Sequence, residues 1–264
     1  MTRSAVLLLM VAALGCQRAA VPDLLTSGAW IDLSYDYSAD TIYWPTAKPF
    51  QLQVESAGRT RAGYYYAANN FSTSEHGGTH LDAPVHFAEG GWTTDQIPLE
   101  RLVGPVVVID VTPQATVNPD YQITPDVLDA WERVNGSIPG RAIVLFRTGW
   151  GSRWPDRVKY LGTAKLGADA VAELHFPGIH SDTARQLAAR GTVDAIGIDT
   201  ASIDYGQSKT FDTHQILFAA NIPAFENVAQ LDRLPLKGSF AVALPMKIRG
   251  GSGGPLRIVA VVPR

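Results

Sequence analysis

Between Ser74 and Phe87 the chain reads Ser-Glu-His-Gly-Gly-Thr-His-Leu-Asp-Ala-Pro-Val-His-Phe, which puts three of its six histidines, His76, His80 and His86, into one short stretch. His76 and His80 are four apart, a spacing that on a helix places both on one face. Gly77-Gly78 make a regular helix poor, and a tight glycine turn would bring the two imidazoles together instead. His80 and Asp82 are two apart, so in extended chain they point to the same side. Two imidazoles and a carboxylate converging on one point form an open divalent metal site, with a position left for water. His86 follows four residues after Asp82, beyond the rigid Pro84. A lone histidine here would read as a surface residue in a turn; His, His and Asp at this spacing, with a fourth group nearby, read as metal binding.

Those residues need a scaffold. The chain has 264 residues, 22 Lys+Arg against 25 Asp+Glu, 46% hydrophobic and 18% charged residues, and one cysteine. That apolar content excludes disorder, and the absence of a basic excess excludes a phosphate-neutralising nucleic-acid binder. One cysteine excludes both a disulfide scaffold and a cysteine-rich zinc module. Runs rich in β-branched or aromatic residues predict strands at 29–33, 64–72, 104–111, 142–147 and 193–198. The segments 239–245 and 256–262 read as a hairpin around Gly250–Gly254. Thr124-Pro125 starts a helix that runs to about Val134. A second helix runs from Ser181 to Arg190 and is closed by Gly191, and a third starts near Asp212. Strands interleaved with helices indicate one α/β domain over 29–264, with a strand-rich mixed sheet and few helices.

The first residues are expected to lie outside that domain. Arg3 precedes an apolar run from Ala5 to Leu14, too short to span a bilayer but suited to an export signal. The single cysteine, Cys16, sits where such a signal is cut. Residues 1–15 therefore resemble a bacterial lipoprotein signal, with Cys16 lipidated as the new N-terminus. Residues 16–28 read as a tether. An exported protein on the periplasmic side, held to the membrane only through a lipid, is the expectation.

The motif His76-Gly-Gly-Thr-His80-Leu-Asp82-Ala-Pro-Val-His86-Phe resembles the signature of the cyclase family of metal-dependent hydrolases, which includes kynurenine formamidase and isatin hydrolase. Gly197–Asp204, Ser208–His214, the Glu226-Asn227 segment, Leu244–Ile248 and Gly250–Pro255 match further blocks in the family's order, so the resemblance covers about residues 29 to 264. It implies a swivelling β/β/α domain and a homo-oligomer, dimer or tetramer. It implies that His76, His80, Asp82, His214 and Glu226 are metal ligands, that Asp82 and Glu226 are able to bridge two ions, and that His86 is the general acid/base. Trp44 matches an aromatic residue lining the substrate pocket. Three imidazoles and two carboxylates suit Zn²⁺ first and Mn²⁺ as the alternative. The isatin-hydrolase branch carries an amide at the position of Glu226 and holds one ion, so a carboxylate there favours the two-ion, formamidase-like arrangement.

The implied reaction is hydrolysis of an amide-type C–N bond in a small molecule. A metal lowers the pKa of bound water from 15.7 to roughly 7, the oxyanion that forms on attack is stabilised, and His86 carries the proton to the departing nitrogen. An arylformamide, a cyclic amide or imide, and an ester or lactone all remain open as substrates, as does a tethered metal- or ligand-binding protein without catalysis. The export signal sits poorly with N-formylkynurenine, an intracellular compound of tryptophan degradation.

Other features carry less. Gly250-Gly-Ser-Gly-Gly254 formally matches a nucleophile elbow, but that motif needs strand, turn and helix, and a strand follows here. His175 and His180 read as structural or surface groups. Asp199 and Asp204 read as loop-fixing carboxylates that accept from turn amides. Arg147 either orients a carboxylate near the site or pairs internally.

Overall fold

The computed structural model describes residues 21–264, so the expected signal segment and Cys16 lie outside the described residues. In chain order, the helices are α1 (Val21–Ser27), α2 (Thr112–Val117), α3 (Pro125–Asn135), α4 (Arg157–Leu161), α5 (Ser181–Arg190) and α6 (Asp212–Ala219). The strands are β1 (Ala29–Asp32), β2 (Gln51–Arg59), β3 (Tyr65–Ser72), β4 (His80–Asp82), β5 (Val103–Asp110), β6 (Gln122–Ile123), β7 (Ala142–Arg147), β8 (Gly178–Ile179), β9 (Val193–Ile198), β10 (Ala224–Glu226), β11 (Lys237–Pro245) and β12 (Gly253–Val262).

The main sheet has eight strands in the order β1-β12-β11-β5-β7-β9-β10-β4, and β4 also pairs with β12. The short strand β4 therefore closes the sheet on itself. Pairing is mixed, as the sequence predicts: β5, β7, β9 and β10 run parallel to their neighbours in that series, and the remaining pairs are antiparallel.

The central strands are apolar on both faces, the pattern of a sheet covered from both sides. Along β5, Val106 and Val108 enter one core and Val107 and Ile109 the other. The first core lies inside the closed sheet, where Ile143, Leu145, Leu81, Phe225, Ile258 and Ala260 meet. The second lies under the helices, where Phe146, Ile196 and Ile198 pack against Leu128 and Trp131 of α3, Leu187 of α5 and Leu217 of α6. Helix α3 starts after Thr124 in extended conformation with proline first, and the indole of Trp131 donates to the Val108 carbonyl at 2.9 Å.

Three sequence expectations change. Residues 21–27 of the expected tether form α1, with Leu24 buried and its carbonyl bonded to the Gly28 amide at 2.8 Å. The glycines of the C-terminal hairpin are not all in its loop. Gly253 and Gly254 belong to β12 and pair with Asp82 and Leu81 of β4, and a Cβ on Gly253 would meet the Leu81 carbonyl at 2.6 Å. Finally, the predicted strand at 64–72 has an unforeseen partner, β2, and the β2–β3 hairpin is exposed along nearly its whole length.

Candidate metal centre

The local backbone explains how the first block focuses. His76 precedes a turn at Gly77-Gly78 rather than a helix, so the glycine alternative holds. A Cβ on Gly77 would meet the Tyr43 ring at 2.0 Å, so only glycine lets the turn pass under that ring. The chain then enters β4, where Leu81 points into the inner core and sends His80 and Asp82 the other way. Strand β10 does the same: Phe225 fills the inner core, and Glu226 pairs in register with His80. His214 arrives from the first turn of α6, where the Thr213 and His214 amides donate to the Asp204 carboxylate at 3.1 and 3.2 Å.

All five expected ligands meet. His76 Nδ1 lies 2.6 Å from Asp82 Oδ1, and His80 Nε2 lies 3.1 Å from the same oxygen and 3.5 Å from Glu226 Oε2. His214 Nε2 lies 3.3 Å from Asp82 Oδ2 and 3.1 Å from Glu226 Oε1. Two sets of potential metal donors result, His76/His80/Asp82 and Asp82/His214/Glu226, and Asp82 belongs to both. All but His76 are buried.

The electrostatics ask for a cation. Burial and the neighbouring Asp82 charge push the Glu226 carboxyl up. Burial also works on Asp82, but His76 and His80 outweigh it and hold that carboxyl well below the usual range. Burial would lower His80, yet Asp82 and Glu226 raise it to about 9. His214 is likewise raised against burial, by Asp204, Asp82 and Glu226. Without an ion, protons on imidazole offset the two carboxylates. His80 Nε2 is buried with no hydrogen-bond partner, aimed at both carboxylates. An orphaned imidazole nitrogen facing buried carboxylates fits a divalent ion, and three nitrogens with two carboxylates fit borderline Zn²⁺, or the harder Mn²⁺ through the carboxylates.

His86 stands beside the cluster. It ends a one-turn helix over Pro84–His86 and stacks on His76 with centroids 3.9 Å apart. Burial lowers it to about 4, so its ring is neutral near pH 7. A cavity of about 350 Å³ opens over the donors. Trp44 is on its wall, as expected, with Tyr43, Phe87 and Phe211.

The remaining expectations sort cleanly. Asp199 accepts from the Thr148 and Gly149 amides, a loop role. Asp204 does more than that: its Oδ2 lies 2.6 Å from His214 Nδ1, so it holds the His214 ring as well as accepting from the α6 amides. Arg147 pairs internally with Asp110 at 2.7 Å. His175 pairs with Asp120 at the surface, and His180 caps α5 by accepting from the Asp182 amide. Ser252, set aside as a hairpin residue, touches His76 Nε2 at 2.9 Å. No local signal marks that contact, since 176 residues separate the two.

With this geometry in view, the comparisons with known proteins agree. Residues 31–205 match the family model described as "Putative cyclase". Isatin hydrolase of Roseibium aggregatum is 34% identical over 210 residues, 76% of this chain and 77% of its own. Kynurenine formamidase of Salinibacter ruber is 32% identical over 236 residues, 88% of this chain and 96% of its own. The structure of isatin hydrolase A from Labrenzia aggregata, bound to benzyl benzoate, superposes with a TM-score of 0.82 at 33% identity, covering 92% and 98% of the two chains. The chain belongs to the cyclase family.

Replacing Gly77 by alanine forces Tyr43 and the turn apart. Metal affinity in Gly77→Ala, measured by competition with a chromophoric chelator, is expected to fall about tenfold or more. Wild-type affinity would show that the turn does not set the ligand geometry.

Proposed function

We propose that this chain is a metal-dependent hydrolase that cleaves the C–N bond of an aromatic amide, with a cyclic amide of the isatin type as the leading substrate class. The observation that carries this reading is the five-donor cluster at the floor of an aromatic-walled cavity with a neutral His86 beside it. The relatives named for isatin and kynurenine substrates support it. A second reading, an open-chain arylformamide, draws on Glu226: its carboxylate gives the second donor set that would hold a second ion.

A divalent ion in the cluster would supply a Lewis acid that polarises a carbonyl and makes water nucleophilic near neutral pH. The chain does the rest. Trp44, Phe87 and Phe211 offer flat faces to an aromatic ring and exclude bulk water. His86 takes a proton from the attacking water and returns it to the nitrogen as the C–N bond breaks, so the amine leaves neutral. Asp204 holds the His214 ring from behind through Nδ1.

Release of acid from a panel of cyclic aryl amides, arylformamides and aryl esters, with and without chelator, tests the assignment. Chelator-sensitive turnover of the cyclic amides is expected. Turnover of formamides alone would favour the second reading, turnover of esters alone would make it an esterase, and turnover of none would leave a binding protein. His86→Ala is expected to keep its metal and lose ~10²–10⁴-fold in turnover, whereas Asp82→Ala loses the metal; a metal-free His86→Ala protein would remove the general acid/base role.

Two further proposals concern the setting. We infer that the protein is a homo-oligomer. The β2–β3 hairpin exposes Leu52, Val54, Tyr65, Tyr66 and Phe71, and a two-stranded sheet so uncovered is marginal in water. Light scattering on the purified domain is expected to give a dimer or tetramer, and a monomer at micromolar concentration would refute it. We also propose export as a lipoprotein, which rests on residues 1–16; among the described residues no helix is long and apolar enough to cross a membrane. Mass spectrometry of the N-terminal peptide from membranes should show lipidated Cys16, and an intact Met1 would count against it.

A further inference from the structure

Each of the three imidazoles in the cluster turns one nitrogen toward the carboxylates, and the far nitrogen of each is held from behind. His80 Nδ1 faces the Gly78 carbonyl at 3.0 Å, and His214 Nδ1 faces Asp204 at 2.6 Å. His76 is reversed: its Nδ1 faces Asp82, and its Nε2 faces Ser252 Oγ at 2.9 Å. Behind that hydroxyl stands Glu75, whose Oε2 accepts from Ser252 Oγ at 2.6 Å and from the Ser252 amide at 3.0 Å.

Proton bookkeeping fixes the direction of this chain. The carboxylate only accepts, so the single hydroxyl proton of Ser252 goes to Glu75. Ser252 Oγ is then an acceptor toward His76, and Nε2 must carry the hydrogen. Nδ1 is then the nitrogen left to offer its lone pair to an ion held between the carboxylates. The same bookkeeping disposes of the other chemistry that the contacts suggest. Asp82, His76 and Ser252 are arranged in the order of a nucleophile triad, but a serine whose proton is directed to Glu75, and whose imidazole neighbour donates to it, has no histidine base as that triad requires.

The loop that carries Ser252 is built to hold it there. The Gly250 amide donates to Asp95 Oδ1 at 2.9 Å, and the Thr94 hydroxyl reaches the Gly251 and Gly253 carbonyls at 3.0 and 3.1 Å. A Cβ on Gly253 would strike the His76 ring at 2.6 Å, so glycine lets β12 run close enough for its neighbour to reach Nε2.

We infer that Ser252 and Glu75 are positioning residues of the metal centre, a hydroxyl–carboxylate relay that fixes the tautomer and orientation of His76 and strengthens its Nδ1 as a donor to the ion. Outer partners of this kind tune metal affinity without touching the metal. The inference rests on the metal-dependent reading of the cluster, so its test separates the two.

Zn²⁺ affinity is measured by chelator competition on wild type, Ser252→Ala and Glu75→Gln, alongside the thermal midpoint of each metal-free protein. Ser252→Ala is expected to bind Zn²⁺ ~10–100-fold more weakly, and Glu75→Gln several-fold more weakly, with metal-free midpoints unchanged. Long-range proton–nitrogen NMR of the Zn²⁺-loaded wild type should show the His76 hydrogen on Nε2. Wild-type affinity in both variants, or a hydrogen on Nδ1, overturns the relay while leaving the metal site intact. A wild-type protein that takes up no Zn²⁺ overturns the metal reading and the relay with it.

Discussion

Two carboxylates, Asp82 and Glu226, are buried within reach of the same imidazoles, and the rest of the site follows from the cost of putting them there. Isolated buried charges are expensive, and two of like sign more so. The fold compensates by surrounding them with His76, His80 and His214, two of which are held protonated when no cation is present. A divalent ion is the natural replacement for those protons, since it offers more charge and uses the same lone pairs. His86 escapes this field because it stacks outside the cluster, where burial outweighs the attraction of Asp82 and keeps its ring neutral. His86 thus has a protonation preference opposite to that of His80 and His214, which sets it apart from the donors of the cluster.

Sheet closure brings those groups together. Strand β4 is only three residues long, yet it pairs on both edges, with β10 and with β12. Leu81 and Phe225 anchor the two short strands in the inner core, and period-two alternation then places His80, Asp82 and Glu226 on one side. Three of the five donors sit on strands, where the apolar residues between them set their direction, while His76 comes from the turn before β4 and His214 from α6. The arrangement is rigid because shifting either strand by one residue would bury a charge in the core and expose a Leu or Phe.

How far the sequence reveals this depends on chain separation. The first block could be read from its own residues: His76, His80, Asp82 and His86 span eleven positions, and a glycine turn followed by an extended pair can focus them without help. His214 and Glu226 carry no such local pattern, and only the resemblance to the family singled them out. Asp204 was legible as a loop-fixing acid but not as a support for His214, because the same carboxylate binds helix amides and imidazole at once. Strand positions in the central sheet were legible because those runs are apolar on both faces. The helix at 21–27 was not, since a short polar stretch with a single buried leucine has too little periodicity to show. Strand β2 escaped too: Leu52 and Val54 alternate with Gln51, Gln53 and Glu55, but they face solvent and not a core.

By itself the sequence determined the chemistry on offer: imidazoles and carboxylates spaced to bind a divalent ion, a histidine placed beyond them, and continuous apolar runs to carry a mixed sheet. These are properties of neighbours along the chain, fixed by residue type and the two backbone periods. The tertiary structure decided how many donors the cluster gathers, which nitrogen of each histidine faces inward, and that Ser252 and Glu75 stand behind His76. Those choices depend on contacts between residues more than a hundred positions apart, which exist only once β4 has closed the sheet.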